Sequence, residues 1–195
     1  MLEKLKSKIE SQFPVSQEFW KELQNNSKQI TVKKNNILVA YGSLSGKSYF
    51  VAKGSFKSSM LTISGNYKTV WFYFDELFYF IPILDSRVSR KPTKYEIMAM
   101  EDSVVIEMEN AVCRLWYEKY HEFNMFSRMD LIKDFTMADD IRTHLISYSK
   151  EDFLRYLYEK YPIILSRTPS KTVADFMGIT PEWYSKIKKK INLKS

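Results

Sequence analysis

The strongest constraint in this sequence is a change of punctuation near residue 108. Four of the five glycines, Gly42, Gly46, Gly54 and Gly65, fall between Gln29 and Glu107, whereas Asn110 to Tyr161 contains neither Gly nor Pro. The first region breaks into the short runs QITVKKNNILVAYG, SYFVAKGSFKSSMLTISGN, KTVWFYF, KYEIMAME and SVVIEME. These are rich in Val, Ile, Tyr and Phe and are separated by Gly, Asn, Ser and Asp, which is the composition of short strands joined by turns. Many such strands in succession predict a sandwich or barrel. The second region predicts long helices. Ahead of both, LEKLKSKIESQF and, after Pro14 and a Ser16 cap, SQEFWKELQNNSK read as two short helices within residues 1–28.

A chain of 195 residues, 45% apolar and 27% charged, is globular and long enough to bury a proper core. Its longest aromatic stretch, VWFYFDELFYFIPIL, is interrupted by Asp75 and Glu76, so it falls short of the ~20 apolar residues of a membrane span. The start, MLEKLKSKIESQF, mixes Lys and Glu and lacks the apolar centre of a signal peptide. A cytoplasmic protein without a membrane partner is expected. Cys113 stands alone, and His121 and His144 lie far apart. No disulfide, metal site or nucleophile–base pair is therefore expected, and the reading is of a protein that is not an enzyme and has no catalytic residues.

One stretch imitates a nucleotide-binding loop. Gly42-Ser43-Leu44-Ser45-Gly46-Lys47-Ser48 has the Lys-Ser ending of a P-loop, but only three residues separate its glycines where four are needed. A strand-like run follows, whereas a phosphate cradle needs a helix N-terminus there. The stretch is predicted to be a hairpin turn with a chance lysine.

Charge is uneven along the chain. Of the net charge of +7, the segment from Arg167 to Ser195 holds +5, from seven basic and two acidic residues. That asymmetry points to a polyanion-binding end. The same end contains PSKTVADFMGITPEWYSKIKKKI, residues 169–191. Ser170 is placed to cap a first helix and Gly178 to end it; Thr180 is placed to cap a second, with Pro181 at its first position. Val173, Met177, Ile179, Tyr184 and Ile187 would form the shared apolar face, and the small Ala174 allows close approach. The second helix carries Lys186, Lys188, Lys189 and Lys190, with no acid after Glu182.

Between strands and tail, Leu131, Phe135, Ala138, Ile141 and Leu145 recur with a mean spacing of 3.5 residues. Such a seam suits a helix packed on its own barrel, but because this helix stands between two domains it suits a dimer helix better. The dimer seam is the reading carried forward. A Ser149 cap then opens KEDFLRYLYEKYP, with Phe153, Leu154, Leu157, Tyr158 and Tyr161 on one side.

The 169–191 segment resembles the helix-turn-helix of bacterial transcription regulators. Over nearly its whole length the chain resembles the Crp/Fnr (catabolite activator protein-like) family, most of all its short Bacteroidetes-type members. KGSFKSS looks like the family's strand–Gly–strand hairpin and GITPEWYSKIKKK like its recognition helix. The resemblance implies an α+β fold in three parts. A cyclic-nucleotide-binding-type β-barrel (double-stranded β-helix, or jelly roll) spans 1–108, connecting and dimerisation helices 109–148, and a helix-turn-helix DNA-binding domain 149–195. It also implies a homodimer, double-stranded DNA as partner, and RNA polymerase as a further partner.

In such a recognition helix the resemblance assigns base reading to Glu182 and Lys186. An acid accepts from cytosine N4, and Lys reaches guanine O6 and N7. Ser170, Lys171, Thr180, Pro181, Ser185, Lys188, Lys189 and Lys190 complete the expected DNA surface, with Lys194 as a further phosphate contact. Pro181 stands where the family usually has Arg, and no β-hairpin wing is expected after the helix. On the effector side, the family's phosphate cassette falls on FDELFYFIPILDSRVSRKPTKYEIMA. Glu76 keeps the ribose-binding acid, but Asp75 replaces Gly and Thr93 replaces Arg. A cyclic phosphate needs a fixed bidentate cation, which Thr is not; Lys94 or nearby Arg90 are the available substitutes, with Lys the poorer fork. The reading therefore disfavours a cyclic nucleotide, expects no cofactor, and leaves the effector unnamed. Phe74, Asp75, Glu76, Thr93 and Lys94 are the expected pocket residues. The aromatics Trp71, Phe72, Tyr73, Phe74, Phe78, Tyr79 and Phe80 read either as pocket lining or as barrel core.

Overall fold

In the computed structural model, which describes residues 1–191, eight strands follow one another as β1 (Ser27–Val32), β2 (Ile37–Val39), β3 (Lys47–Lys53), β4 (Ser55–Leu61), β5 (Tyr67–Phe74), β6 (Phe80–Pro82), β7 (Tyr95–Ala99) and β8 (Ser103–Glu109). They form two antiparallel four-stranded sheets, ordered β1-β8-β3-β6 and β2-β7-β4-β5. Phe50 and Val51 of the first sheet and Phe56 and Ile97 of the second lie in one shared core, so this is the expected jelly-roll barrel.

Two turns differ from expectation. β2 and β3 belong to different sheets, so Gly42–Gly46 is a sheet-to-sheet crossing and not a hairpin. No helix follows it, and the P-loop-like lysine is spent on Glu107, with Lys47 Nζ 2.7 Å from Oε1. KGSFKSS is likewise no hairpin: β3 pairs with β6 and β8, and β4 with β5 and β7. Gly54 takes φ +100° at the crossing, and a Cβ there would run into the Ser103 side chain. The true hairpin is β4–β5, paired from Ser55↔Phe74 to Leu61↔Tyr67 with a one-residue register shift between Ser58 and Ser59.

Helices α1 (Leu2–Glu10) and α2 (Gln17–Asn25) place Leu5, Ile9, Phe19 and Leu23 against the barrel core. A short α3 (Leu84–Ser89) lies between β6 and β7. After β8 the chain enters α4 (Asn110–Lys119) and the 27-residue α5 (His121–Ser147). These break at Tyr120, where φ −112° and ψ 107° are not helical, although no Gly or Pro signals it. The break lets Trp116, Tyr120 and Phe123 all surround Phe19, with ring centroids at 5.6, 4.9 and 5.3 Å.

The chain ends in α6 (Lys150–Lys160), α7 (Pro162–Arg167), α8 (Ser170–Met177) and α9 (Pro181–Lys190). Their apolar residues make a second core together with Phe72, Phe74, Phe78 and Met100 from the barrel. Ser149 caps α6 as expected, accepting from the Asp152 N–H at 3.2 Å. On α6, however, Tyr158 is exposed and Tyr156 is buried, its hydroxyl donating to Asp140 at 2.5 Å.

This second core corrects the seam. Ile141 is only 1% exposed, packed inside its own chain, and Leu145 lies half-buried against the same cluster. Leu131 and Phe135 remain 65% and 70% exposed, with Ala138 half-buried between the two parts. The reason is the length of α5: its early turns run along the barrel, and its later turns are covered by α6 and the end domain. Among the described residues no helix is long and apolar enough to cross a membrane, and no cluster of three His, Cys, Asp or Glu could hold a metal ion.

Candidate nucleic-acid interface

Local chemistry explains the α8–turn–α9 pair. Gly178 closes α8 with φ 73° and ψ 32°, and the Ile179 N–H reaches back to the Ala174 carbonyl at 3.0 Å. Thr180 caps α9, accepting from the Trp183 N–H at 3.2 Å, and Pro181 occupies the first turn. Ser170 is not the cap of α8. Pro169 holds that position in an extended conformation, its carbonyl accepting from Thr172 and Val173, and Ser170 is the first helical residue.

Val173, Ala174, Met177 and Ile179 meet Tyr184 and Ile187 in the buried seam between the helices. Burying one side of α9 forces its other side outward. Glu182, Ser185, Lys186 and Lys189 are all exposed, and their spacing of three, one and three residues puts them in one stripe. The Glu182 carboxyl is held below its ordinary value by a hydrogen bond from its own backbone N–H and by the Thr180 hydroxyl, so it stays an acceptor. The Ser185 hydroxyl donates to the Pro181 carbonyl at 2.9 Å. Lys171 is exposed and Lys188 half-buried. Lys190 is engaged within the chain, its Nζ 2.8 Å from Glu151 Oε1 on α6. Lys194 lies outside the described residues. Trp183, half-exposed beside the stripe, was missed; its sign in the sequence is a large apolar residue out of step with Tyr184 and Ile187.

The expected effector residues do not gather into one pocket. Phe74 is buried in the second core. Asp75 Oδ1 is 2.5 Å from Arg167 Nη1 and its Oδ2 2.9 Å from Lys4 Nζ. Burial alone would raise that carboxyl, but hydrogen bonds from Lys4 and Arg167 outweigh it and hold the group below its ordinary range. Glu76 is exposed, 3.7 Å from Arg167. Thr93 is buried elsewhere: its N–H donates to the Ser43 carbonyl and its hydroxyl accepts from the Tyr95 N–H. The Lys94 N–H donates to Asp85. The aromatic run is core: Trp71, Phe72 and Phe78 close on Ile141, Ile164 and Phe176 without leaving room for a water molecule. An open groove of about 390 Å³ lies instead over Thr136, Met137, Asp139, Asp140, Thr143 and Tyr161, none of them an expected pocket residue.

No family model matches the sequence, and no curated protein matches it either. Solved structures do resemble the fold. The c-di-GMP-responsive global regulator CLP of Xanthomonas campestris superposes with a TM-score of 0.70 at 12% identity, covering 91% of this chain and 92% of its own. A transcriptional regulator of the Crp/Fnr family from Thermus thermophilus gives 0.64 at 13%, covering 85% and 86%. The Thermus thermophilus catabolite activator protein gives 0.55 at 13%, covering 95% and 86%. The chain shares the fold of these Crp/Fnr-type transcription regulators.

Proposed function

We propose that the chain is a dimeric DNA-binding transcriptional regulator of the Crp/Fnr type. The carrying observation is the exposed stripe Glu182–Ser185–Lys186–Lys189 on a capped helix whose opposite side is locked into the core. An acid and a base on one stripe suit direct reading of cytosine and guanine edges, while Lys171 and Lys189 suit phosphates. Exposed Leu131, Ile132 and Phe135 on α5 support pairing with a second copy. Two heads must then sit about one DNA turn (~34 Å) apart to read a palindrome.

The division at residues 108 and 148 and contact with RNA polymerase belong to the same proposal and rest on the fold likeness. The barrel is read as taking no cyclic nucleotide. Thr93 occupies the arginine position with its polar groups spent on backbone, and Asp75 puts a carboxylate where a phosphate would lie.

Binding to genomic duplexes across a salt series tests this reading. Lys186→Ala with Glu182→Ala removes sequence preference, at about 1–3 kcal/mol per base-reading residue. Lys171→Ala weakens all duplexes alike and lowers the salt slope by about one. Duplex binding that is absent, or indifferent to salt, overturns the proposal in favour of a ligand-sensing or protein-interaction module whose head has decayed; Pro181 in place of Arg is the feature that favours that second reading.

A further inference from the structure

We infer that Arg167 is a positioning residue that sets the orientation of the helix-turn-helix on the barrel of its own chain, and does so without a ligand. The inference rests on the DNA-reading assignment for its consequence, but not for its geometry. Arg167 is the last residue of α7, immediately ahead of the α8–α9 pair. Its guanidinium spans two carboxylates from separate barrel turns. Nη1 lies 2.5 Å from Asp75 Oδ1, just past β5, and Nη2 lies 2.6 Å from Glu101 Oε1, ahead of β8. The same group sits over the Phe74 ring, 5.8 Å from its centroid. Asp75 carries the link onward, because its second oxygen takes Lys4 Nζ from α1, which also donates to the Ala52 carbonyl at 3.0 Å. End domain, barrel and first helix are thus joined through one carboxylate.

A second polar clamp lies further along the same contact. Asp175 of α8 accepts the Thr69 N–H at 2.7 Å and pairs with Lys68 at 3.1 Å, both on β5. Between the clamps, Phe72 and Phe176 pack edge to face with centroids 5.0 Å apart. An apolar contact alone permits sliding and rotation; two polar points on either side of it do not. Arg167 is the demanding one of the pair. A planar fork can hold two carboxylates in one geometry, whereas an ammonium on a flexible stem is a point charge. The Arg167–Asp75 pair is sheltered as well, at 25% and 13% exposure, so solvent screens it less than a surface bridge, whereas Glu101 is 43% exposed and its pair is screened more.

The functional consequence follows from dimer geometry. Two heads whose orientation is fixed in advance meet DNA with their spacing already set, and the ordering cost at binding is small. Heads freed from Arg167 have to be ordered by the DNA, and several half-site spacings become nearly equivalent. This also assigns a purpose to Asp75, whose carboxylate stands where a family cassette would have glycine.

The test uses the full-length protein with spin labels at Lys28→Cys on β1 and Glu159→Cys on α6; both sites are exposed, and the native Cys113 is buried. Labelled chains are diluted with unlabelled ones, and distances are measured by pulsed dipolar spectroscopy without DNA. A single narrow distribution is expected for the ligand-free parent and a broad one for Arg167→Gln. Arg167→Lys is expected to behave like Gln. Arg167→Met, which keeps the apolar stem beside Phe74 but removes both charge pairs, serves as the second variant should Arg167→Gln fail to fold.

The DNA readout is a library of palindromes with varied spacers. Arg167→Gln should lose on the order of tenfold affinity at the best spacing, the size expected for one charge-assisted link, and show a flattened spacer profile. Affinity for a single half-site should be unchanged, which a merely unfolded head would not allow. Equally narrow distance distributions in the parent and in the folded Arg167→Gln or Arg167→Met variant overturn the inference. If the parent binds no DNA yet the variant distribution broadens, the DNA assignment falls while the positioning role of Arg167 stands.

Discussion

Gly54 and Gly178 carry the same punctuation in the sequence and different burdens in the structure. Both have positive φ, but nothing lies within 4 Å of a Cβ built on Gly178, whereas one on Gly54 strikes Ser103. Gly178→Ala should therefore cost only the left-handed strain, about 1–2 kcal/mol. Gly54→Ala adds a collision with a side chain that accepts the Ser55 N–H and donates to the Glu101 carbonyl, so its loss should be clearly larger. Urea unfolding of the two variants checks the order; equal losses would show that the β3–β4 crossing can relax. Residue-level legibility follows the same line. The caps Thr180 and Gly178 could be read because their partners lie within a few positions along the chain. The partners of Asp75 could not, because Lys4 and Arg167 lie 71 and 92 residues away.

Helix α5 is where the periodic reading was only half sufficient. Its apolar spacing is real, but periodicity identifies an apolar side and not what covers it. The structure divides that side between solvent, at Leu131 and Phe135, and the chain's own second core, at Ile141. If the exposed part is the dimer seam, Leu131→Asp with Phe135→Asp should yield monomers by light scattering at micromolar concentration, and an unchanged mass would remove the seam. The same helix turns acids toward the barrel. Asp130 is buried and accepts a hydrogen bond from the Tyr79 hydroxyl. Burial foremost, and then the neighbouring Asp130, push the Asp134 carboxyl up to about 7, against the opposing pull of Lys133 and Lys8. A carboxyl raised on folding binds more protons in the folded state, so its contribution is complete below about pH 4, the unfolded value, and is lost as pH rises through 7. Stability should fall between about pH 4 and 7, and Asp134→Asn should flatten that fall in denaturant midpoints. Identical pH profiles for parent and variant would contradict this.

At the scale of the molecule, the order of parts was legible and their docking was not. Turn residues, strand composition and helix caps are local signals, and they conveyed barrel, long helix and helix-turn-helix in sequence. That the end domain packs on β5, burying Phe72 and Phe74 against Phe176 and Phe153, depends on residues a hundred positions apart and leaves no periodic trace. The same long-range packing turned the aromatic run around Phe74 into core and seats α9 on it through Tyr184 and Ile187. The claim that most needs testing is that this seat presents a sequence-reading surface. Genomic fragments selected by the purified protein at ~150 mM salt, where phosphate-only contacts are weak, test it most directly. The expected result is enrichment of a two-fold-symmetric site with half-sites one helical turn apart. No enrichment over input, with or without added cell metabolites, would contradict it.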